Sequence, residues 1–155
     1  MAASLEEIVK EINNLNPAIK KILSLYDYGS DDLSGVEYDE NDPEQLFMLD
    51  QTHTILEKLG SISHTLQYLN RPIKGMGRLQ KNSRNRYELP DGYEFTSGYG
   101  IEYLATDDRH SVYVEESEDY VNKPYWCASS VEHNGTDYYI VGTNEELEGL
   151  TVRYR

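Results

Sequence analysis

The sequence predicts an α+β protein: an N-terminal antiparallel helical hairpin followed by a small antiparallel β-sheet or SH3-like barrel. Two changes of pattern near residue 70 predict it. Apolar residues recur at steps of three and four up to that point, the period of a helix face, and then give way to short alternating runs, the period of a strand. Charge changes at the same place: residues 1–70 hold 13 acids and 4 bases, whereas 71–155 hold 15 acids and 10 bases. The predicted domains are therefore an acidic helical hairpin, 1–70, and a small all-β domain, 71–155.

The first helix follows from Leu5, Ile8, Ile12, Leu15, Ile19, Ile22 and Tyr26, which form the seam of an amphipathic helix. Ser4 stands where an N-cap belongs, with Glu6 and Glu7 placed against the positive end of the helix dipole. Pro17 removes one backbone donor and pushes Asn16 away from helical geometry. A kink or two short helices are expected near residues 14–17, with the same face buried on both sides.

The connector reads "YDYGSDDLSGVEYDENDPE", residues 26–44, eight carboxylates around three tyrosines with no lysine or arginine. Its end explains itself: Asp42 caps a second helix, Pro43 suits the first helical position, and Gln45 stands where a capping box wants it. Leu46, Leu49, Ile55, Leu56, Leu59, Ile62, Leu66 and Leu69 then mark a helix of about 25 residues ending before Arg71-Pro72, with Gly60 its weak point. Neither helix hides its stripe alone, so the two are expected to pair. The heptad seam also allows two hairpins to join as a homodimeric four-helix bundle.

Beyond residue 71, strands are expected at 76–82, 85–89, 93–96, 100–106, 110–117, 124–132, 137–142 and 150–154. Pro90-Asp91-Gly92, Thr106-Asp107-Asp108 and His133-Asn134-Gly135 supply turns between them, and Asn-Gly favours a tight hairpin. Within this region "RPIKGMGRLQKN", "RYELPDGYEFTSG", "DYYIVG" and "EGLTVRYR" resemble a small domain of unknown function carried on plasmids, phages and conjugative elements of low-GC Gram-positive bacteria. The resemblance covers about 71–155. It brings no enzyme chemistry or cofactor, and implies an accessory protein of a mobile element, possessed here of an added acidic hairpin.

Composition narrows the function. A net charge of -14 disfavours general binding to nucleic acid or anionic membrane and favours a basic partner. Cys127 is the only cysteine, which excludes a disulfide framework. The amino end lacks a signal pattern and no apolar run has the length of a membrane span, so a cytoplasmic protein is expected.

The usual catalytic and metal patterns are not met. His53, Glu57 and His64 share a helix at turn spacing without completing a ligand set. A calcium loop starting at Asp39 fails because Pro43 takes its fifth position and Glu44 its required glycine. Cys127 with His110 or His133 lacks the electropositive setting that activates a thiol, and "KGMGRL" leads to a strand instead of a phosphate-binding helix. Glu94 and Glu102 could form a carboxylate pair, but in so acidic a chain such pairs arise by chance. No catalytic residue, metal or cofactor is therefore assigned.

Fourteen tyrosines stand against two phenylalanines and one tryptophan. Tyr103, Tyr113, Tyr125 and Tyr139 alternate as core or cross-strand residues do, whereas those in the connector suit a surface that a partner covers. The predicted docking residues are Tyr26, Asp27, Tyr28, Asp31, Asp32, Glu37, Tyr38, Asp39 and Glu40. The expected function is non-enzymatic inhibition of a host defence nuclease, its carboxylates standing in for phosphates. A Cas effector, with its guide RNA as a second contact, is the first candidate, and a restriction enzyme the next. The alternative is a nucleic-acid-binding module that uses Lys74, Arg78, Lys81, Arg84 and Arg86, with Tyr87 stacking a base.

Overall fold

The computed structural model describes residues 2–25 and 36–155. They divide into two compact units between Arg71 and Pro72, one helical and one built of strands.

The helical unit begins with α1, Leu5–Ser24. The Glu7 amide donates to the Ser4 hydroxyl at 3.1 Å, and the Ser4 amide donates to the Glu7 carboxylate at 2.8 Å. Two of the unpaired donors at the helix start are thereby satisfied reciprocally. Of the two outcomes expected near 14–17, a kink or two short helices, the second is not observed: one helix runs through Pro17. Proline deletes one donor only, and the turn carrying it is fastened to the second helix. Ser63 donates to Asn16 Oδ1 at 3.4 Å, and Asn70 Nδ2 donates to Asn13 Oδ1 at 2.8 Å. These pairs run in opposite order along the two helices, which are therefore antiparallel.

The second helix, α2, spans Pro43–Leu69 with Asp42 as its cap, accepting from the Glu44 amide at 2.9 Å. Gln45 departs from the simple capping box. Its amide donates to Asp42 at 3.1 Å, while its oxygen accepts from the Asp39 amide at 2.9 Å and ties the connector to the helix. Among the described residues of this unit, the buried side chains are Ile19, Leu56, Ser63 and Leu66. The expectation that the α1 stripe is buried throughout is therefore corrected: Leu5, Ile8, Ile12, Leu15 and Ile22 stay exposed. One neighbouring helix covers only part of an apolar stripe about 100° wide.

The strands of the second unit are β1 (Gly75–Arg78), β2 (Gln80–Lys81), β3 (Tyr87–Glu88), β4 (Glu94–Phe95), β5 (Tyr99–Ala105), β6 (Ser111–Val114), β7 (Asp119–Asn122), β8 (Tyr125–His133), β9 (Tyr138–Ile140) and β10 (Thr151–Tyr154). A 3-10 turn, Asp108–His110, precedes β6. The main sheet has the order β1-β10-β5-β8-β9 and is antiparallel throughout. The strands β2-β3-β4 form a second sheet and β6-β7 a separate hairpin. β1 and β9 remain edges of the main sheet, so the expected alternatives resolve to open sheets rather than a closed barrel.

Each expected strand overlaps an observed one with ends that differ by at most three residues, β1, β5 and β8 each running one residue beyond the expected bounds, and 76–82 divides into two. Leu79 lies between them, donating its amide to the Leu150 carbonyl at 3.0 Å, and is fully buried. β7 was not expected. The Asn134-Gly135 turn is a four-residue loop rather than the tightest hairpin, because Asn134 Oδ1 accepts from the amides of both Thr136 and Asp137. Leu79, Leu89, Phe95, Ile101, Val131, Ile140 and Val152 form the core. Tyr93 stacks on Tyr154 at 3.7 Å at its margin.

Candidate functional site

The connector residues Tyr26, Asp27, Tyr28, Asp31 and Asp32 lie outside the described residues, and Glu37, Tyr38, Asp39 and Glu40 lie within them. The local chemistry of the second group follows from Asp39. Its carboxylate accepts from the Asn41 amide at 2.9 Å, and its carbonyl accepts from the Asp42 amide at 3.1 Å, making a turn that leads into α2. Val36, Glu37 and Tyr38 border a hollow of about 220 Å³ whose other wall is the first turns of α2, including Met48, Leu49 and Leu56. Tyr38 is exposed at its rim. Among the described residues no ion pair engages Glu37, Asp39 or Glu40. Asp42 does different work: the Glu44 amide, then the Gln45 side chain, hold its carboxyl below the usual range.

The basic band is arranged otherwise. Lys81 Nζ donates to Asp137 at 2.6 Å and sits 5.2 Å from the centre of the Tyr87 ring. The pairing holds the lysine above, and the aspartate below, their ordinary values. Arg84 and Arg86 both bind Glu94, and Asn82 donates to Glu94 at 2.6 Å and to Glu88 at 2.7 Å. Tyr87 is a core residue, so its ring is not open for a base to stack on. Of the six residues in the alternative site, Lys74 and Arg78 alone are exposed with no ion pair among the described residues.

The carboxylates Glu94 and Glu102 do not present an acid-base pair. Glu102, 4 % exposed, is bound by Arg153 and by Arg155, the latter at 2.6 Å. Arg153 also lies 4.1 Å from the centre of the Trp126 ring. Cys127 stands opposite Tyr103 in the register of β5 with β8. The two histidines considered as its partners are engaged elsewhere: His110 packs edgewise on Tyr125, and His133 accepts from the Gly135 amide and packs on Tyr138. His53 pairs with Glu57 at 3.5 Å. Among the described residues no three metal-ligating side chains converge, and no helix is long and apolar enough to cross a membrane.

Sequence reasoning missed a second acidic surface bearing tyrosines. The β6-β7 hairpin pairs Tyr113 with Tyr120 at 5.4 Å in a T-shaped contact, 50 and 68 % exposed. Glu115, Glu116, Glu118 and Asp119 surround its turn, where Glu118 takes a left-handed φ of 52°. The signal was present in the mirror pattern Val112-Tyr113-Val114 and Tyr120-Val121 about that acidic turn, the signature of a two-stranded arm.

A family model described as a domain of unknown function, DUF5348, matches residues 77–154, half of the chain and nearly all of the β unit. No curated protein matches the chain. No solved structure matches it either.

Proposed function

The chain belongs to the DUF5348 family, and we propose that it is a non-enzymatic docking protein that occupies the basic nucleic-acid channel of another protein. The observation that carries this reading is the unequal use of charge. Lys81, Arg84 and Arg86 are paired internally, while Glu37, Asp39 and Glu40 stand exposed and without ion pairs among the described residues. The surface offered to a partner is therefore negative, with tyrosines beside the carboxylates to supply contact area. Long-range attraction would speed association and set its orientation. The resemblance to mobile-element domains makes a defence nuclease in the host cytosol the target class, a Cas effector before a restriction enzyme.

The test mixes the purified chain with a Cas9-type effector and its guide RNA, and separately with restriction enzymes, following cleavage and complex formation on a sizing column. Inhibition and a complex that dissociates as salt rises are expected. Replacing Asp31, Asp32, Asp39 and Glu40 with alanine is expected to weaken the complex at least about tenfold while folding is kept. Neither complex nor inhibition across the panel overturns the reading. The nucleic-acid-binding alternative rests on exposed Lys74 and Arg78, and direct RNA or DNA binding at low salt, lost on reversing those two charges, would favour it.

A further inference from the structure

Both helices of the first unit carry a second apolar seam that the hairpin leaves open. On α1, Ile8, Leu15 and Ile22 follow at seven-residue steps and are 46, 57 and 44 % exposed. On α2, Met48, Ile55, Ile62 and Leu69 keep the same step and are 56, 55, 44 and 54 % exposed. A sustained seven-residue repeat is the pattern by which one helix seats its side chains between those of another.

The two seams face the same side of the hairpin. Asn16 is bonded to α2, and Leu15 stands one position before it. On α2, Leu56 and Ser63 are buried and Asn70 is bonded to α1, and Ile55, Ile62 and Leu69 each stand one position before them. One position is a rotation of about 100° around a helix axis. In an antiparallel pair, equal rotations about each helix's own direction turn both faces to one side of the plane containing the two axes. The seams therefore form one continuous apolar face.

We propose that this face is covered by the same face of a second copy, the two hairpins forming a four-helix bundle. Charge selects that occupant. α1 holds three acids and three bases, and α2 three acids and one base, whereas residues 25–42 hold seven acids and no base. The helix bodies thus offer little charge for an acidic or basic partner to recognise, and two copies meet there without strong repulsion. A face built from both helices at the same offset is also self-complementary about a two-fold axis. Seven side chains about half open on each copy would together remove on the order of 1,000 Å², the threshold for a specific interface.

Sedimentation equilibrium of the full chain at tens to hundreds of micromolar tests this. The expected mass is twice the 17.9 kDa of one chain. The double substitution Leu15→Glu and Ile62→Glu places charge in the apolar face and is expected to weaken dimerisation at least about 100-fold. A monomer with intact helices hands the face to a different protein and overturns the proposal. So does a dimer whose mass the double substitution leaves unchanged. If the variant loses its helices, the melting of the unsubstituted chain decides: a helical transition that rises with concentration supports the dimer, and one independent of concentration overturns it.

Discussion

Glu102 shows how a single carboxylate in the β unit is held by groups far away in sequence. Buried at the centre of the main sheet, it is balanced by Arg153 and Arg155 from β10 and the residue after it. Removing one member of a buried ion pair leaves its partners desolvated and uncompensated, a larger loss than the net contribution of the pair itself. Glu102→Ala is expected to lower the stability of the β unit by about 3–5 kcal/mol, read as a shift in the midpoint of urea unfolding. Tyr125 makes a different prediction. Burial, and then the bonds from its hydroxyl to both Asp107 oxygens at 2.9 Å, push its pKa up to about 12 from the ordinary 10.0. The folded state thus retains the phenolic proton that the unfolded chain gives up. Its contribution is complete below pH 10 and is lost as pH rises through about 12. Asp107 has the opposite sign: the Arg109 amide, then Tyr125, depress its pKa, so its contribution is present above the ordinary 3.8 and is lost as pH falls below it. Tyr87, Tyr93 and Tyr103 are raised as well, so in a tyrosinate absorbance titration Tyr125→Phe is expected to shrink the late phase by one tyrosine and Asp107→Asn to move part of it earlier. An unchanged profile in both variants would contradict the assignment.

At the scale of elements, the legible parts were those that neighbours in sequence determine. Ser4 with Glu7 and Asp42 with Pro43 place the helix starts because capping is completed within four residues. Whether one helix or two would pass Pro17 was not legible, since the fastening groups Ser63 and Asn70 arrive from the other helix. The hydrophobic period marked the apolar face of α1 but not what covers it, which is why a stripe expected to be buried is largely open. Strand positions were legible from alternation, while closure was not: it depends on which edges meet, and β1 pairs with β10 from the far end of the chain. β6 fell within the strand expected at 110–117, but β7 was missed because the acidic turn between them was read as the end of that strand. Pro17 also yields a test at this scale. It is exposed and lacks the amide that would complete the ladder inside α1. Pro17→Ala is expected to stabilise the helical unit by about 1–3 kcal/mol, visible as a higher midpoint in the helical circular dichroism melt. A lower midpoint would mean that the proline fixes a backbone path on which the pairing of α1 with α2 depends.

The whole chain combines two units with different sources of stability and a charge that is shared unequally between pairing and solvent. The acidic excess was legible by counting, but the cancellation of the basic band was not. Lys81 finds Asp137 56 residues away, and only the folded sheets bring Glu94 to Arg84 and Arg86. This is why a run of five cations read as an open nucleic-acid surface now contains two exposed bases without ion pairs among the described residues. The same division by unit governs unfolding. The β unit has its own continuous core, from Leu79 through Val152, whereas among its described residues the helical unit buries the apolar side chains Ile19, Leu56 and Leu66. Units with separate cores unfold as separate cooperative steps, and substitutions without shared neighbours act independently. Calorimetry of the full chain is therefore expected to resolve two transitions. Glu102→Ala should lower the one that carries the loss of sheet signal and leave the helical one in place, while Pro17→Ala should move the helical transition alone. A single transition displaced by both substitutions would show the two cores to be energetically one.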